Sequence, residues 1–422
     1  MTDVTTDLTG LSLAPFRATR YCGDEAELGR RLSPPYDVIS PADRAALLAG
    51  SETNVVRLIL PDEAEAALAG GDRYAGAEAL LEQWLADGVL ATDDEPALFV
   101  YEMQTSDGGR TRGLVGALEL RDPADGVILP HENTMAGPVA DRLALMAATQ
   151  ANLEPIYLVY DGGGAASALV AAASADAPLV TTTGFDGTVH RLWAITDTGQ
   201  HAAVAADLAG RRALIADGHH RYATYRQLQA EAGSQPGPAD RGLTLLVDTS
   251  TYGPQVHPIH RVVSRDWDDL LGRTAQVARV SAELRLAEAE QRLAEVAGFA
   301  VALADANRAV IVSDLSDAVV GAALGEQSDS ALARLDITVL HRVLIEQVWQ
   351  LPDDVEHVGY AHDTAEAVQA ASESGGTAVI VRATPVQAVA EVAAAGERMP
   401  RKSTLFTPKP ASGLLLRRFA DQ

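Results

Sequence analysis

Apolar residues along the chain fall into short segments separated by glycine, proline and polar clusters, and their period changes from one segment to the next. Over residues 73–86, Leu80, Leu81, Trp84 and Leu85 make a helical stripe that Gly88 closes. Residues 98–103 and 112–120 flank SDGG and predict an antiparallel hairpin. A helix is expected over 138–148, a strand over 155–160 ended by DGGG, and a strand-rich stretch over 178–219 that includes a short strand at 214–216. A helix over 223–232 and a strand over 243–248 follow. Residues 54–60, with Pro61 after them, read as a strand, and 34–37 as a rigid loop set by Pro34 and Pro35. Beyond the SQPGPADR loop and the 243–248 strand, 267–296 reads as largely helical, 300–312 as a hairpin around DANR and 339–350 as a helix. The tail adds the strand GGTAVIVRA and the helix AVAEVAAAG. So many alternating elements predict a mixed α/β, multi-domain protein, with an N-terminal and central region at 1–265 and a C-terminal domain at 266–422.

Composition narrows the function classes. The chain has 422 residues, 47% of them hydrophobic, and 33 basic against 58 acidic residues give a net charge of −25. This is a chain that packs cores without staples, and its charge repels nucleic-acid backbones and anionic lipid heads, so neither is an expected partner. Cys22 is alone and forms no internal disulfide. The opening MTDVTTDLTG has no basic segment followed by an apolar run, and no apolar run approaches the roughly 18 residues of a membrane span. A cytoplasmic protein acting on a small molecule is the expectation, with a homo-oligomer left open.

Candidate chemistry concentrates where the strand at 214–216 turns into the next helix. Asp217, Gly218, His219, His220 and Arg221 stand there, where free backbone N–H groups receive phosphate. An aspartate can orient a hydroxyl or hold a cation, and the histidines and arginine can donate to phosphate oxygens. An ordinary surface loop accounts for the same residues. His131 and Glu132 form a second group, with Glu132 the preferred general base and His131 its orienter, although HENT also reads as a turn cap. Arg142, in the first turns of a helix, is a candidate anion ligand. Asp37 and Arg57 are weaker candidates, joined as substrate contacts by His260 and Arg261 of HPIHR and by Lys402 and Ser403 of the basic tail. Zinc is disfavoured because HExxH and cysteine pairs are absent; Mg²⁺ carried by a nucleotide asks for only one or two carboxylates, Asp217 among them. GxGxxG, GxxxxGK[ST] and GxSxG are absent too, which removes the commonest oxidoreductase, NTPase and hydrolase signatures.

The motifs PFRATRY, SPPYDVIS, NVVRLILP, PHENTMAGPVADR, LIADGHHRY, HPIHR and MPRKSTLFTPKPASG together resemble the bacterial and archaeal DUF1015 family, whose name supplies no reaction. Within them, IADGHHRY resembles the nucleotide-binding signature of the ParB/sulfiredoxin superfamily, above all its free-serine kinases. That resemblance implies a central ParB/sulfiredoxin-like region with Asp217 near the reacting hydroxyl or cation, Gly218 at the turn, His220 and Arg221 on phosphates, and His219 as helper. It implies a nucleotide-dependent phosphotransferase using ATP or ADP with Mg²⁺ and acting on a serine-like amino or hydroxy acid. The resemblance does not place a catalytic glutamate, so Glu132 remains the choice made from the residues' own chemistry; with it, Asp217 and His219 are the expected catalytic residues, and Gly218, His220 and Arg221, joined by Arg142 and His131, are expected to hold the nucleotide. A non-catalytic nucleotide sensor and a metal-dependent hydrolase are the alternatives.

Overall fold

The computed structural model describes residues 10–233, 235–306, 308–325 and 330–422. The opening segment, on which the expectation of no leader rests, lies outside them, as do Ser234 of SQPGPADR and Asn307 of DANR. The chain forms two compact units: residues 1–130, 134–254 and 408–422 make the first, and 131–133 with 255–407 the second. The division differs from the expected boundary at 265 in two ways. It falls at the end of the loop after the 243–248 strand, and the last fifteen residues return to the first unit. The return is held by backbone pairing: Leu416 exchanges hydrogen bonds with Thr19, Ser412 with Ser33, and Arg417 pairs with Asn152.

The first unit is built on a mixed sheet, nine-stranded among the described residues. Its strands are β1 (Leu13–Ala14), β2 (Leu98–Gln104), β3 (Arg110–Glu119), β4 (Ile128–Leu129), β5 (Ile156–Tyr160), β6 (Val180–Thr183), β7 (Val189–Ile195), β8 (Ala213–Asp217) and β9 (Arg241–Asp248). Their spatial order is β4-β8-β5-β9-β3-β2-β7-β6, with β1 beside β3. The β8–β4 and β9–β5 pairs are parallel and the others antiparallel. The SDGG hairpin and the central strands therefore form as their pattern predicts. Helices α1 (Arg73–Ala86), α2 (Ala136–Thr149), α3 (Gly164–Ala173), α4 (Thr198–Leu208) and α5 (His219–Ala232) surround the sheet. Leu98 and Val100 of β2, Leu169 and Val170 of α3 and Tyr222 and Tyr225 of α5 share one core. Each such aliphatic side chain contributes about 1.5–3 kcal/mol by leaving water.

Two local expectations fail here for identifiable reasons. Residues 54–60 contain a helical turn, Val56–Ile59, in place of a strand. Buried Asn54 accepts a hydrogen bond from the Val56 N–H and donates to the Arg30 and Leu32 carbonyls, and Val55, Val56, Leu58 and Ile59 are all buried. Side-chain capping and burial override the β-branched preference of the segment. The helix expected from 223 begins already at His219, so His219, His220 and Arg221 form its first turn instead of a loop.

The second unit centres on an antiparallel sheet, six-stranded among the described residues. Its strands are β10 (His260–Val263), β11 (Arg279–Val280), β12 (Ala300–Ala304), β13 (Ala309–Ser313), β14 (Val358–Ala361) and β15 (Thr377–Ile380), in the order β11-β13-β12-β15-β10-β14. The stretch 267–296 is two helices, α6 (Trp267–Thr274) and α7 (Leu286–Glu295), separated by β11, because the two amphipathic runs pack against different neighbours. Ala289 and Leu293 of α7 and Ala367 and Ala371 of α8 (Thr364–Ser374) cover the sheet's alanine-rich face. The helix expected over 339–350 runs from Asp336 to Val348, with a wide π turn over Leu340–Val348. No helix among the described residues is long and apolar enough to cross a membrane.

Candidate functional site

Strand β8 is buried along its length and ends on Asp217. Gly218 then takes φ +92°, a left-handed geometry that glycine adopts without steric cost. A Cβ there would also sit 3.2 Å from the Arg221 guanidinium. The turn launches the 14-residue helix α5, whose first-turn N–H groups and positive dipole end face the junction. One turn in, Arg221 folds back: its Nη2 donates to Asp217 Oδ2 at 2.5 Å and its Nη1 to the Pro155 carbonyl at 2.5 Å. The other Asp217 oxygen carries the Lys409 ammonium, brought by the returning C-terminal segment. Burial opposes the charge of Arg221, but Glu154, Asp217 and Asp37 hold its pKa above the ordinary value. Burial likewise opposes the Lys409 charge, and Asp217 and Asp37 outweigh it and raise its pKa.

A second carboxylate backs this pair. Glu154 is 4% exposed; its Oε1 accepts from the Tyr36 N–H and the Ser412 hydroxyl, both at 3.0 Å, and its Oε2 lies 3.8 Å from Arg142. Arg142 stacks 4.2 Å above the Tyr36 ring and donates to Asp141 and to the Ile59 carbonyl. The first unit thus gathers Arg142, Arg221 and Lys409 around Asp37, Glu154 and Asp217. The segment that delivers Lys409 is pinned by the Ala411 N–H, which donates to the Tyr101 hydroxyl at 3.1 Å; that hydroxyl meets His190 Nδ1 at 2.9 Å.

Burial pulls the His190 pKa down to about 4, against a weaker upward pull from Asp186. The unfolded chain takes up this proton near pH 6.5, so the stabilisation from a neutral His190 is complete above pH 6.5 and is lost as pH falls toward 4. The expected loss is about 3 kcal/mol. Urea midpoints measured across that interval should fall in the wild type and fall less in His190→Gln; parallel profiles would contradict the assignment.

The expected site residues separate between the two units. Asp37, Arg57, Arg142, Asp217, Gly218, His219, His220 and Arg221 belong to the first; His131, Glu132, His260, Arg261, Lys402 and Ser403 to the second. Asp37, exposed, and His219, buried, stand with the cluster, and His220 Nε2 accepts from the Met135 N–H at 3.1 Å. Arg57 donates to buried Glu65 at 2.7 Å, which Arg44 also holds. Arg142 and Arg221 are likewise turned inward, onto carboxylates and carbonyls. In the second unit His131 is fully buried, with Nε2 2.9 Å from the Thr404 hydroxyl and 3.9 Å from Glu132. His260 accepts from the Val381 N–H, and Ser403 donates to the Pro400 carbonyl. Arg261, fully buried, donates to His341 and to the Ile259 and Arg401 carbonyls; burial lowers its pKa to about 10. Lys402 is exposed, in a left-handed turn.

The metal expectation does not fit. Both Asp217 oxygens already hold a cation, an arrangement that disfavours a third. Among the described residues no three His, Cys, Asp or Glu side chains stand together to hold a metal ion. The sequence reading noted Lys409 only as a neighbour of the basic tail, left it out of the site residues, and passed over Glu154 and Tyr36. One signal was available: the chain has only two lysines, Lys402 and Lys409, and Lys409 is set between two prolines. Where arginine supplies almost every cation, a lysine marks a position that calls for a compact, mobile point charge.

Among solved structures, the chain is similar to a free serine kinase in complex with AMP, at 15% identity and a TM-score of 0.35, covering 66% of this chain and 83% of that one. It is similar to a conserved hypothetical protein from Pyrococcus furiosus, at 15% identity and a TM-score of 0.34, covering 67% of this chain and 88% of that one. It is also similar to C-terminally truncated SbnI from Staphylococcus aureus, at 12% identity and a TM-score of 0.35, covering 71% of this chain and 86% of that one. No curated protein matches it. Residues 13–338 match the family described as "Protein of unknown function (DUF1015)", and on that match the chain belongs to the DUF1015 family.

Proposed function

We propose that the 217–221 junction and Lys409 bind the phosphates of a nucleotide, ATP or ADP with its Mg²⁺. The protein is then a phosphotransferase acting on a small hydroxyl-bearing metabolite, a serine-like amino or hydroxy acid in the first instance. The observation that carries this reading is the Lys409–Asp217 pair at the mouth of α5. An ammonium on a flexible stem beside the positive end of a long helix is a setting that favours phosphate. The carboxylate next to it can orient an acceptor hydroxyl. Arg221 and Arg142 act by holding Asp217 and Glu154 in place. His219 is proposed as a helper at the junction. Mg²⁺ would arrive on the nucleotide's phosphates.

A groove supports a nucleotide over bare phosphate. It measures about 650 Å³, runs between α2 and α5, and is lined by Ala136, Val139, Ala140, Leu143 and Ala223. Its volume is in the range of small-molecule sites, and its apolar walls suit a nucleobase. His220 lies on the same face of α5 as Ala223 and Gln227 and touches the start of α2 through Met135.

Lys409→Met keeps the side-chain stem and removes the charge. It is expected to weaken nucleotide binding by roughly ten- to hundredfold, the size of a charge-assisted hydrogen bond, in a protein that is less stable but still folded, because Arg221 remains on Asp217. The activity test is release of the nucleotide's terminal phosphate onto serine and other hydroxy acids over many turnovers. Tight binding without turnover on any acceptor would replace the kinase reading by the sensor.

A further inference from the structure

Tyr157 stands directly across from Asp217 in the antiparallel pairing of β5 and β8, so the two side chains share a face of the sheet. It is fully buried, and its hydroxyl has no hydrogen-bond partner among the described residues. Leaving such a group unpaired costs about 1–3 kcal/mol, and a phenylalanine would fill the same space without that cost. The groups that face it electrostatically are Asp217 and Tyr101; burial first, and then these two, hold its pKa well above that of a free tyrosine, so it stays a neutral O–H donor. The acceptor across the strand pair is Asp217, whose oxygens are taken by Arg221 and Lys409.

We propose that Tyr157 is a positioning residue of the phosphate site, donating its hydroxyl hydrogen bond to the Asp217 oxygen that Lys409 vacates when the ammonium turns to an anionic ligand. This rests on the phosphate-binding reading above. In the unliganded protein Lys409 neutralises Asp217; on binding, the ammonium moves to the phosphate oxygens and the Tyr157 O–H takes its place. Arg221 stays on the other oxygen throughout. No proton changes owner, and the carboxylate keeps two donors in both states, so its direction toward an acceptor hydroxyl is preserved while the cation moves. The hydroxyl is unsatisfied in one state because it is needed in the other.

The test compares wild type with Tyr157→Phe, using inorganic pyrophosphate and MgATP or MgADP as probes. Without ligand, the variant should unfold at the same temperature as the wild type or higher, because an unpaired hydroxyl has been removed. Its affinity for pyrophosphate and nucleotide should fall roughly tenfold, one hydrogen bond to a charged group. Independently, ultraviolet resonance Raman spectra of the wild type should show one tyrosine gaining a hydrogen bond to a carboxylate when pyrophosphate is added. That measurement stands even if the variant does not fold. Equal affinities, or tyrosine bands unmoved by a ligand that binds, overturn the role of Tyr157. A wild type that binds neither probe overturns the phosphate site itself, and the inference with it.

Discussion

Asp217→Asn is expected to lower the unfolding free energy by about 3–5 kcal/mol, the cost of leaving buried cations without their anion. The substitution keeps the shape of the side chain and removes its charge, so Lys409 and Arg221 face a neutral amide in a setting where Asp217 itself is only 8% exposed. The effects on binding and chemistry should part company. Lys409, released from its counterion, still attracts phosphate, so pyrophosphate affinity is retained at a concentration of urea where the variant is folded. Turnover, which needs the carboxylate to orient a hydroxyl, is lost. Urea denaturation with titration calorimetry checks both halves; unchanged stability would mean the three side chains do not form the network described.

The second large effect belongs to Glu154. Its carboxylate ties three distant stretches, through the Tyr36 N–H, the Ser412 hydroxyl and the Arg142 guanidinium. Glu154→Leu fits the volume approximately but strands those donors in the interior, with an expected loss of about 3–5 kcal/mol. The loss should be accompanied by early release of the C-terminal segment, since Ser412 lies three residues from Lys409. Proteolysis of the native variant should therefore clip near 408–422 before the rest of the first unit is cut. Uniform digestion would show that Glu154 does not anchor the segment.

Legibility in the sequence followed the range of the forces involved. The SDGG hairpin, the strands that carry Tyr157 and Leu245 and the helix from Arg73 were legible because periodicity and turn residues act within one element. Val56–Ile59 was not, because burial of Asn54 and its reach to Arg30 and Leu32 are tertiary events. The strand-to-helix junction at 217–221 was visible as a motif, with Gly218 at the turn. The inward direction of Arg221 was hidden, since spacing on a helix places a side chain on a face and does not say what it meets. The same gap concealed Glu154 and Lys409, one a single acid before a strand and the other thirteen residues from the chain end. Charge pairing over such separations leaves no periodic trace. The histidines of HPIHR and HENT were conspicuous for their chemistry, whereas His260 and His131 are buried in hydrogen bonds of their own unit.

The central claim, that the mouth of α5 with Lys409 is a phosphate site, is tested most directly by calorimetric titration of the wild type and Lys409→Met with MgATP, MgADP, MgCTP, MgGTP and pyrophosphate. The account predicts that wild type binds pyrophosphate and at least one nucleotide, the nucleotide more tightly, and that Lys409→Met, still folded at the temperature of the titration, loses both. Binding of none of these by the folded wild type, or undiminished binding by Lys409→Met, would contradict it.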